Sequence, residues 1–249
     1  MEEATATVIA SAKRKSSHTV RLSNAYCVAL ADTRSDYSAV LNGPGLTYAD
    51  GAPVALLLRV LAPDHSGGGR VRGPSLFCNV LSEGRAHGLK HFLLGTTDET
   101  LGLLQDALYT RFPGLEIVGA YAPPFGALDS DDAIEDMRVR ISATDADIIW
   151  VSLGTPKQDF VAKEVSQRTL TLSVGIGAAF DFAAGVVTEA PKWVQASGFE
   201  WLFRLCQDPS RLWRRYLFGN VQFIWIVFRT TLGRGMSVVR LRSRTQSVE

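Results

Sequence analysis

The chain has 249 residues, 46% hydrophobic and 20% charged, with a net charge of +1. That balance supports one large domain or two small ones with a sizeable core, and it excludes a mainly disordered or collagen-like chain. A near-neutral chain has no whole-molecule field for nucleic acid, and three scattered cysteines without C-x-x-C spacing point to a reducing compartment rather than a disulfide framework or structural zinc.

Residues 1–17 read as a disordered leader of small and polar residues. Lys13, Arg14 and Lys15 have no apolar run behind them, so no secretory signal is read there. Val20 to Leu22 is a short strand, and Asn24 caps the helix that follows. Leu46 to Ala49 is a second strand before Asp50-Gly51, and Ala52 to Leu61 is a helix with Pro53 in its first turn. Pro63 to Gly69 is a loop. Arg70 to Arg72 is a strand ending at Gly73-Pro74, and Leu76 to His87 has helical spacing.

His91 to Leu94 is a strand closing on Gly95, with Thr97 and Asp98 as caps for a helix to Arg111. Leu115 to Ala120 is a strand, and Asp129 to Ser142 a helix with acids at its start, where the dipole favours them. Asp147 to Leu153 is the clearest buried strand. Gly154-Thr155-Pro156 follows it, then a helix from about Lys157 to Gln167, then a strand from Leu170 to Val174 ending in Gly175-Ile176-Gly177. This alternation predicts an α/β, Rossmann-like, mostly parallel sheet with helices on both faces, spanning 18–190.

From about Pro191 the strand pattern stops. Trp193 to Gly198, Phe199 to Gln207 and Ser210 to Thr231 read as helices of a basic appendage over 191–249. From Trp201 to Glu249 there are nine arginines and two acids, a net +7, so the first 200 residues carry −6. Arg204, Arg211 and Arg215 share one helical face if the helices run on, with Pro209 standing between. Tryptophans and leucines interleave with them. This composition suits either an anionic membrane interface or a helix packed on the core with a solvated basic face. No stretch reaches the ~20 apolar residues of a spanning helix.

In open α/β sheets ligands bind beyond the carboxyl ends of the strands. The residues that stand there are Asn24, Asp50, Gly73, Gly95, Gly154 to Gln158, and Gly175 to Asp181. Gly154 to Gln158 opens a helix, where free amides hold phosphate, Lys157 adds charge and Gln158 can donate or accept; the same residues also make an ordinary β-to-α turn. Gly177 and its neighbours let backbone approach a ligand. Asp50 is a general base or a turn-forming Asp-Gly, and Asp181 binds a ligand hydroxyl or caps a turn. The four histidines lack metal spacing, and His91, at a strand start, is solvent-facing or structural. Ser152 lacks a nucleophile elbow. An NAD-linked oxidoreductase needs a glycine-rich first βα turn and an acidic ribose-binding residue, and neither is evident.

Several segments together resemble the WecG/TagA/CpsF glycosyltransferases of bacterial cell-surface polysaccharide synthesis. They run from about Asn24 to Phe223: Ala49-Asp50-Gly51, Arg70 to Gly73, Phe92 to Gly95, Leu153 to Asp159, Gly175 to Gly185, Ala190 to Trp193, Gly198 to Leu205, Pro209 to Arg211 and Arg215-Tyr216. The resemblance implies inverting transfer of a hexose or N-acetylhexosamine from a UDP-sugar to a polyprenyl-diphosphate-linked acceptor, in exopolysaccharide, teichoic acid or related glycan synthesis. It implies no metal and no cofactor, and a peripheral place on the inner face of the cell membrane. It makes Asp50 the base and places Asn24, Arg70 and Gln158 in the pocket, with Arg204, Arg211 and Arg215 meeting diphosphates. Leu22, Ser75 and Glu189 depart from the family pattern and bear on the donor sugar more than on the reaction. A non-catalytic membrane-associated module that binds nucleotide-sugar or lipid phosphate is the alternative. Apolar faces on short helices allow self-association.

Overall fold

The structure is a computed structural model that describes residues 1–61, 69–124, 126 and 130–231. The predicted loop at Pro63 to Gly69 falls almost wholly outside the described residues, as do the last 18 residues of the basic tail.

In chain order the elements are α1 (Glu2–Lys13), β1 (Thr19–Ser23), α2 (Ala25–Thr33), α3 (Ser35–Leu41), β2 (Gly45–Ala49), α4 (Ala52–Leu61) and α5 (Gly73–Gly84). A 3-10 turn at Arg85–His87 leads to β3 (Lys90–Gly95), α6 (Asp98–Arg111), β4 (Glu116–Tyr121), α7 (Asp131–Ser142), β5 (Ile148–Ser152), α8 (Lys157–Thr169) and β6 (Leu172–Gly175). Five-residue α9 (Ala179–Ala183) precedes α10 (Lys192–Ser197), α11 (Glu200–Gln207) and α12 (Pro209–Thr231). The strands form one sheet in the order β2-β1-β6-β5-β3-β4. The pairings β1–β6, β6–β5, β5–β3 and β3–β4 are parallel, as the alternating pattern predicts.

Packing divides the chain into two compact units. The first holds Met1–Leu22, Pro44–Leu46 and Val71–Thr188; the second holds Ser23–Gly43, Thr47–Arg70 and the chain from Glu189 on. The division therefore differs from a cut at 190/191, because the second unit also takes in the segments after β1 and within β2 to α4.

In the first unit, alternation along β3 and β5 sorts side chains to two faces. Phe92, Leu94, Ile149 and Val151 pack with Ile134, Met137 and Ile141 of α7 and Val161, Ala162 and Val165 of α8. Trp150, from the opposite register, meets Phe77 of α5 edge-on at 5.0 Å, and Phe77 meets Phe180 of α9 at 5.5 Å. His91 is buried here, so its structural reading holds and its solvent-facing one does not. Its Nδ1 accepts the Trp150 indole N–H at 3.1 Å, and burial pushes its pKa down to about 4.

Two further expectations are corrected. Residues 2–13 are not a disordered leader: Ala4, Thr5, Val8, Ile9 and Ala12 form a buried stripe on α1, which packs on α5. Arg70 to Arg72 is not a strand; the segment joins no ladder, and Arg72 stands as N-cap of α5 with its guanidinium 5.8 Å from the Phe182 ring.

In the second unit, Asn24 caps α2 by accepting from the Tyr26 and Cys27 amides at 3.0 and 3.2 Å. Val28, Ala49, Val54, Ala55 and Phe223 form its core. The long helix α12 lies against α2 at Gly219, where a Cβ would come within 3.0 Å of Tyr26 Cδ2. Asp32 of α2 fastens the far end: one carboxylate oxygen accepts from Arg229 at 2.7 Å and the other from Gln222 at 3.0 Å.

Candidate active site

In the first unit the chain leaves β3 through α6 to β4 on one side, and leaves β5 through α8 to β6 on the other. Since β3 and β5 are neighbours, the sheet has a topological switch point between them, where open α/β sheets hold ligands. Gly95, Gly154, Lys157, Gln158, Gly177 and Asp181 all lie at the carboxyl ends of β3, β5 and β6. Gly95 is required by close approach: a Cβ there would sit 2.3 Å from the Ser152 carbonyl oxygen. Gly154 and Lys157 are exposed, at the amino-terminal end of the 13-residue α8.

A polar network ties these strand ends together. The Thr96 amide donates to Ser152 O at 3.2 Å, and the Thr96 hydroxyl to Asp181 Oδ1 at 3.3 Å. The Ser152 hydroxyl donates to Gly177 O at 2.5 Å, while Gln158 Oε1 accepts the Gly177 amide at 3.0 Å. Gln158 is 2% exposed, so its carbonyl oxygen serves the loop after β6. Thr96 and Ser152 are the contributors that sequence reasoning missed. Thr96 stands directly beside Gly95, and Ser152 ends the clearest strand; nothing in their spacing reveals that they meet other loops.

The second unit holds Asn24, Asp50, Arg70, Arg204, Arg211 and Arg215. Half-buried Asp50 follows β2, and its amide donates to Ser23 O at 2.8 Å, which fixes the strand end. The Asn24 side-chain oxygen is taken up by the α2 cap. Arg70 is committed within its own unit: Nη2 pairs with Glu200 at 2.5 Å and Nη1 donates to Gln195 O at 2.6 Å. Asp208 interrupts the helix between α11 and α12, so Arg204 and Arg211 lie on separate helices rather than one continuous face. Arg211 pairs with Asp208 at 2.7 Å, and the Arg215 guanidinium stacks 4.9 Å from the Tyr26 ring centre.

With its α2 side fastened, α12 turns Trp213, Leu217, Phe218, Val221, Ile224, Trp225 and Phe228 to solvent, each at least 44% exposed. At about 1.5 Å per residue that apolar face is about 22 Å long. A groove of about 340 Å³ runs between α11 and α12, lined by Trp201, Leu205, Trp213, Tyr216, Leu217, Asn220, Val221 and Ile224. No helix among the described residues is long and apolar enough to cross a membrane. Among the described residues no three His, Cys, Asp or Glu side chains converge as a metal site would require.

The model of the glycosyl transferase WecG/TagA/CpsF family matches residues 1–236. The chain belongs to this family. It is a glycosyltransferase of polysaccharide and cell-wall synthesis, with the α/β fold that its sequence predicts. The match covers α1 as well, so this WecG/TagA/CpsF member begins its family likeness before Asn24. A curated relative is the N-acetylglucosaminyldiphosphoundecaprenol N-acetyl-beta-D-mannosaminyltransferase of Bacillus spizizenii. It is 29% identical over 185 residues, which are 73% of this chain and 67% of the relative.

Proposed function

We propose that this glycosyltransferase moves a hexose or N-acetylhexosamine from a UDP-sugar to a polyprenyl-diphosphate-linked acceptor, with inversion and without a metal. The observation that carries the reading is the β3/β5 switch point, with glycines, an amino-terminal helix turn and Lys157 at one strand end and a carboxylate reached from two others. These are the fittings of a nucleotide-sugar diphosphate site. The relative's printed activity supports N-acetylmannosamine as the first donor sugar to try, with an N-acetylglucosamine-bearing lipid diphosphate as acceptor.

In the mechanism Asp50 takes the proton from an acceptor hydroxyl as that oxygen attacks the anomeric carbon. The bond from the anomeric carbon to the diphosphate breaks, and UDP leaves with the electron pair. Lys157 and the α8 amides stabilise the leaving charge, a contribution that is often large in such reactions. Arg204, Arg211 and Arg215 bind diphosphate groups, and arginine's planar fork suits them. The exposed apolar face of α12 rests on an anionic membrane surface at the cytoplasmic side, where the lipid-linked acceptor resides.

The test is a transfer assay with a panel of UDP-sugars, a short-chain polyprenyl-diphosphate-N-acetylglucosamine and EDTA. Acceptor-dependent UDP release with glycolipid product supports the reading and names the donor. UDP binding without transfer across the panel would favour a non-catalytic binding module. Loss of transfer in EDTA, restored by magnesium, would overturn metal independence alone.

A further inference from the structure

α4 is apolar on every side. Nine of its ten residues carry no polar side-chain group, and the tenth is Arg59. A helix of that kind is normally enclosed by neighbours all round. Among the described residues only one side of α4 is. Val54 and Ala55 join the core with Val28 and Phe223, and Leu57 and Leu58 pack against it. Leu56 and Val60, one turn apart on the outer stripe, are 62% and 68% exposed. The stripe does not stand alone. In the turn between α10 and α11, a Cβ on Gly198 would come 3.0 Å from Ala52 Cβ in the first turn of α4. Phe199, next to that glycine, is 58% exposed. Through Phe223 the same core joins α4 to α12, whose outer face carries the apolar side chains described above. Uncovered apolar surface therefore comes from neighbouring elements of one unit, beyond what single scattered side chains supply. Charge divides the same way. The second unit holds thirteen basic and eight acidic residues, a net +5, and the first holds thirteen basic and seventeen acidic, a net −4. The unit with the uncovered apolar surface is thus the one that an anionic bilayer attracts. Apolar side chains flanked by cations suit the boundary between headgroups and acyl chains.

We propose that the outer stripe of α4, with Leu56 and Val60 as its anchors, is a second lipid-contacting element, seated with α12 at the acyl boundary of an anionic membrane. This rests on the membrane reading of α12 above and goes further. One helix on a surface leaves rotation about its own axis free, whereas two helices joined through one core fix a plane. The contact also bears on the chemistry. Asp50 stands two residues before α4, and Leu56 lies about 6 Å along the helix from Ala52 at about 1.5 Å per residue. Lipid contact at Leu56 keeps the proposed base near the surface that carries a lipid-linked acceptor.

The experiment attaches an environment-sensitive fluorophore to Leu56→Cys in the full chain, with Cys78→Ser and Cys206→Ser removing the accessible thiols and Cys27 buried. Val221→Cys on α12 and Val139→Cys on α7 of the first unit are labelled for comparison, since all three positions are more than half exposed. The probe is a vesicle of phosphatidylglycerol and phosphatidylethanolamine, with and without nitroxide-labelled acyl chains. The label at 56 should brighten several-fold and be quenched by the nitroxide, as at 221, while the label at 139 should not respond. Leu56→Ser with Val60→Ser should weaken vesicle binding by about tenfold, the order expected for two lost apolar side chains, with the thermal midpoint unchanged. A silent label at 56 beside a quenched one at 221 overturns the proposal and leaves the α12 reading standing. Silence at both positions overturns both. A label at 56 that is shielded without vesicles, and more so as protein concentration rises, shows a second copy on the stripe and overturns the proposal as well.

Discussion

Arg70 and Glu200 offer a decisive perturbation. Family resemblance places Arg70 in the pocket, yet its terminal nitrogens are spent on Glu200 and on the Gln195 carbonyl. The two side chains are only 23% and 13% exposed, and Arg70 Nε is buried without a partner. Removing one member of such a pair strands the other charge, a loss of about 3 kcal/mol when burial is deep and about 2 kcal/mol at this partial exposure. Glu200→Gln and Arg70→Gln should therefore each lower unfolding free energy by about 2 kcal/mol, and the double variant by little more than either. The coupling read from a double-mutant cycle in urea should exceed about 1 kcal/mol. If the pair acts by holding α10 and α11, both single variants should reduce kcat/KM to a similar degree, and Arg70→Glu combined with Glu200→Arg should recover part of it. Coupling below about 0.5 kcal/mol, with only Arg70→Gln losing turnover, would refute the latch and return Arg70 to direct substrate contact.

Asp50→Asn should lower kcat by at least about a hundredfold while UDP affinity stays within about twofold, as expected of a lost general base; near-normal turnover in a stopped assay would remove Asp50 from that role. His91 should make stability fall as pH drops. Its folded pKa is depressed to about 4 from 6.5, so the unfolded chain takes the proton first; stability is complete above pH 6.5 and about 3 kcal/mol is lost by pH 4. His91→Gln keeps an acceptor for Trp150, and its urea midpoint should vary less between pH 7 and pH 5; parallel curves for the two proteins would show that His91 does not titrate this way. Phe218→Ser with Trp225→Ser should cut sedimentation with anionic liposomes several-fold without shifting the thermal midpoint, since both side chains are more than half exposed. Deleting the chain from Phe199 would be a poorer test, because Phe223 belongs to the second unit's core.

The regular elements were legible because their signals are local. The buried runs at β3 and β5, the Thr97 cap and the Asn24 cap each announce themselves within a few residues. The α1 stripe was also present in the sequence at 4, 5, 8, 9 and 12, but alanine and threonine are too weakly apolar to mark it before α5 is there to cover it. The site was legible as a set of strand-end residues and illegible as a network. Glu200 lies 130 residues from Arg70, and Asp181 lies 85 from Thr96, so no spacing rule joins them. Chain division was hidden for the same reason: residues 23–43 and 47–70 look like core in sequence and pack with helices far downstream.

The hold on Gly177 has a kinetic side. A left-handed glycine between two peptide units is the usual pivot for a peptide flip, and its φ of +61° marks it as such a pivot. Here both planes that meet at its α-carbon are pinned, the amide by Gln158 and the carbonyl by Ser152. The loop is therefore held in one shape without any ligand. A ligand that fits this shape would lose little ordering entropy on binding, and its encounter would not wait for a rearrangement. Slow hydrogen exchange at the Gly177 amide would be the signature of that stillness, in the free protein as much as in the loaded one.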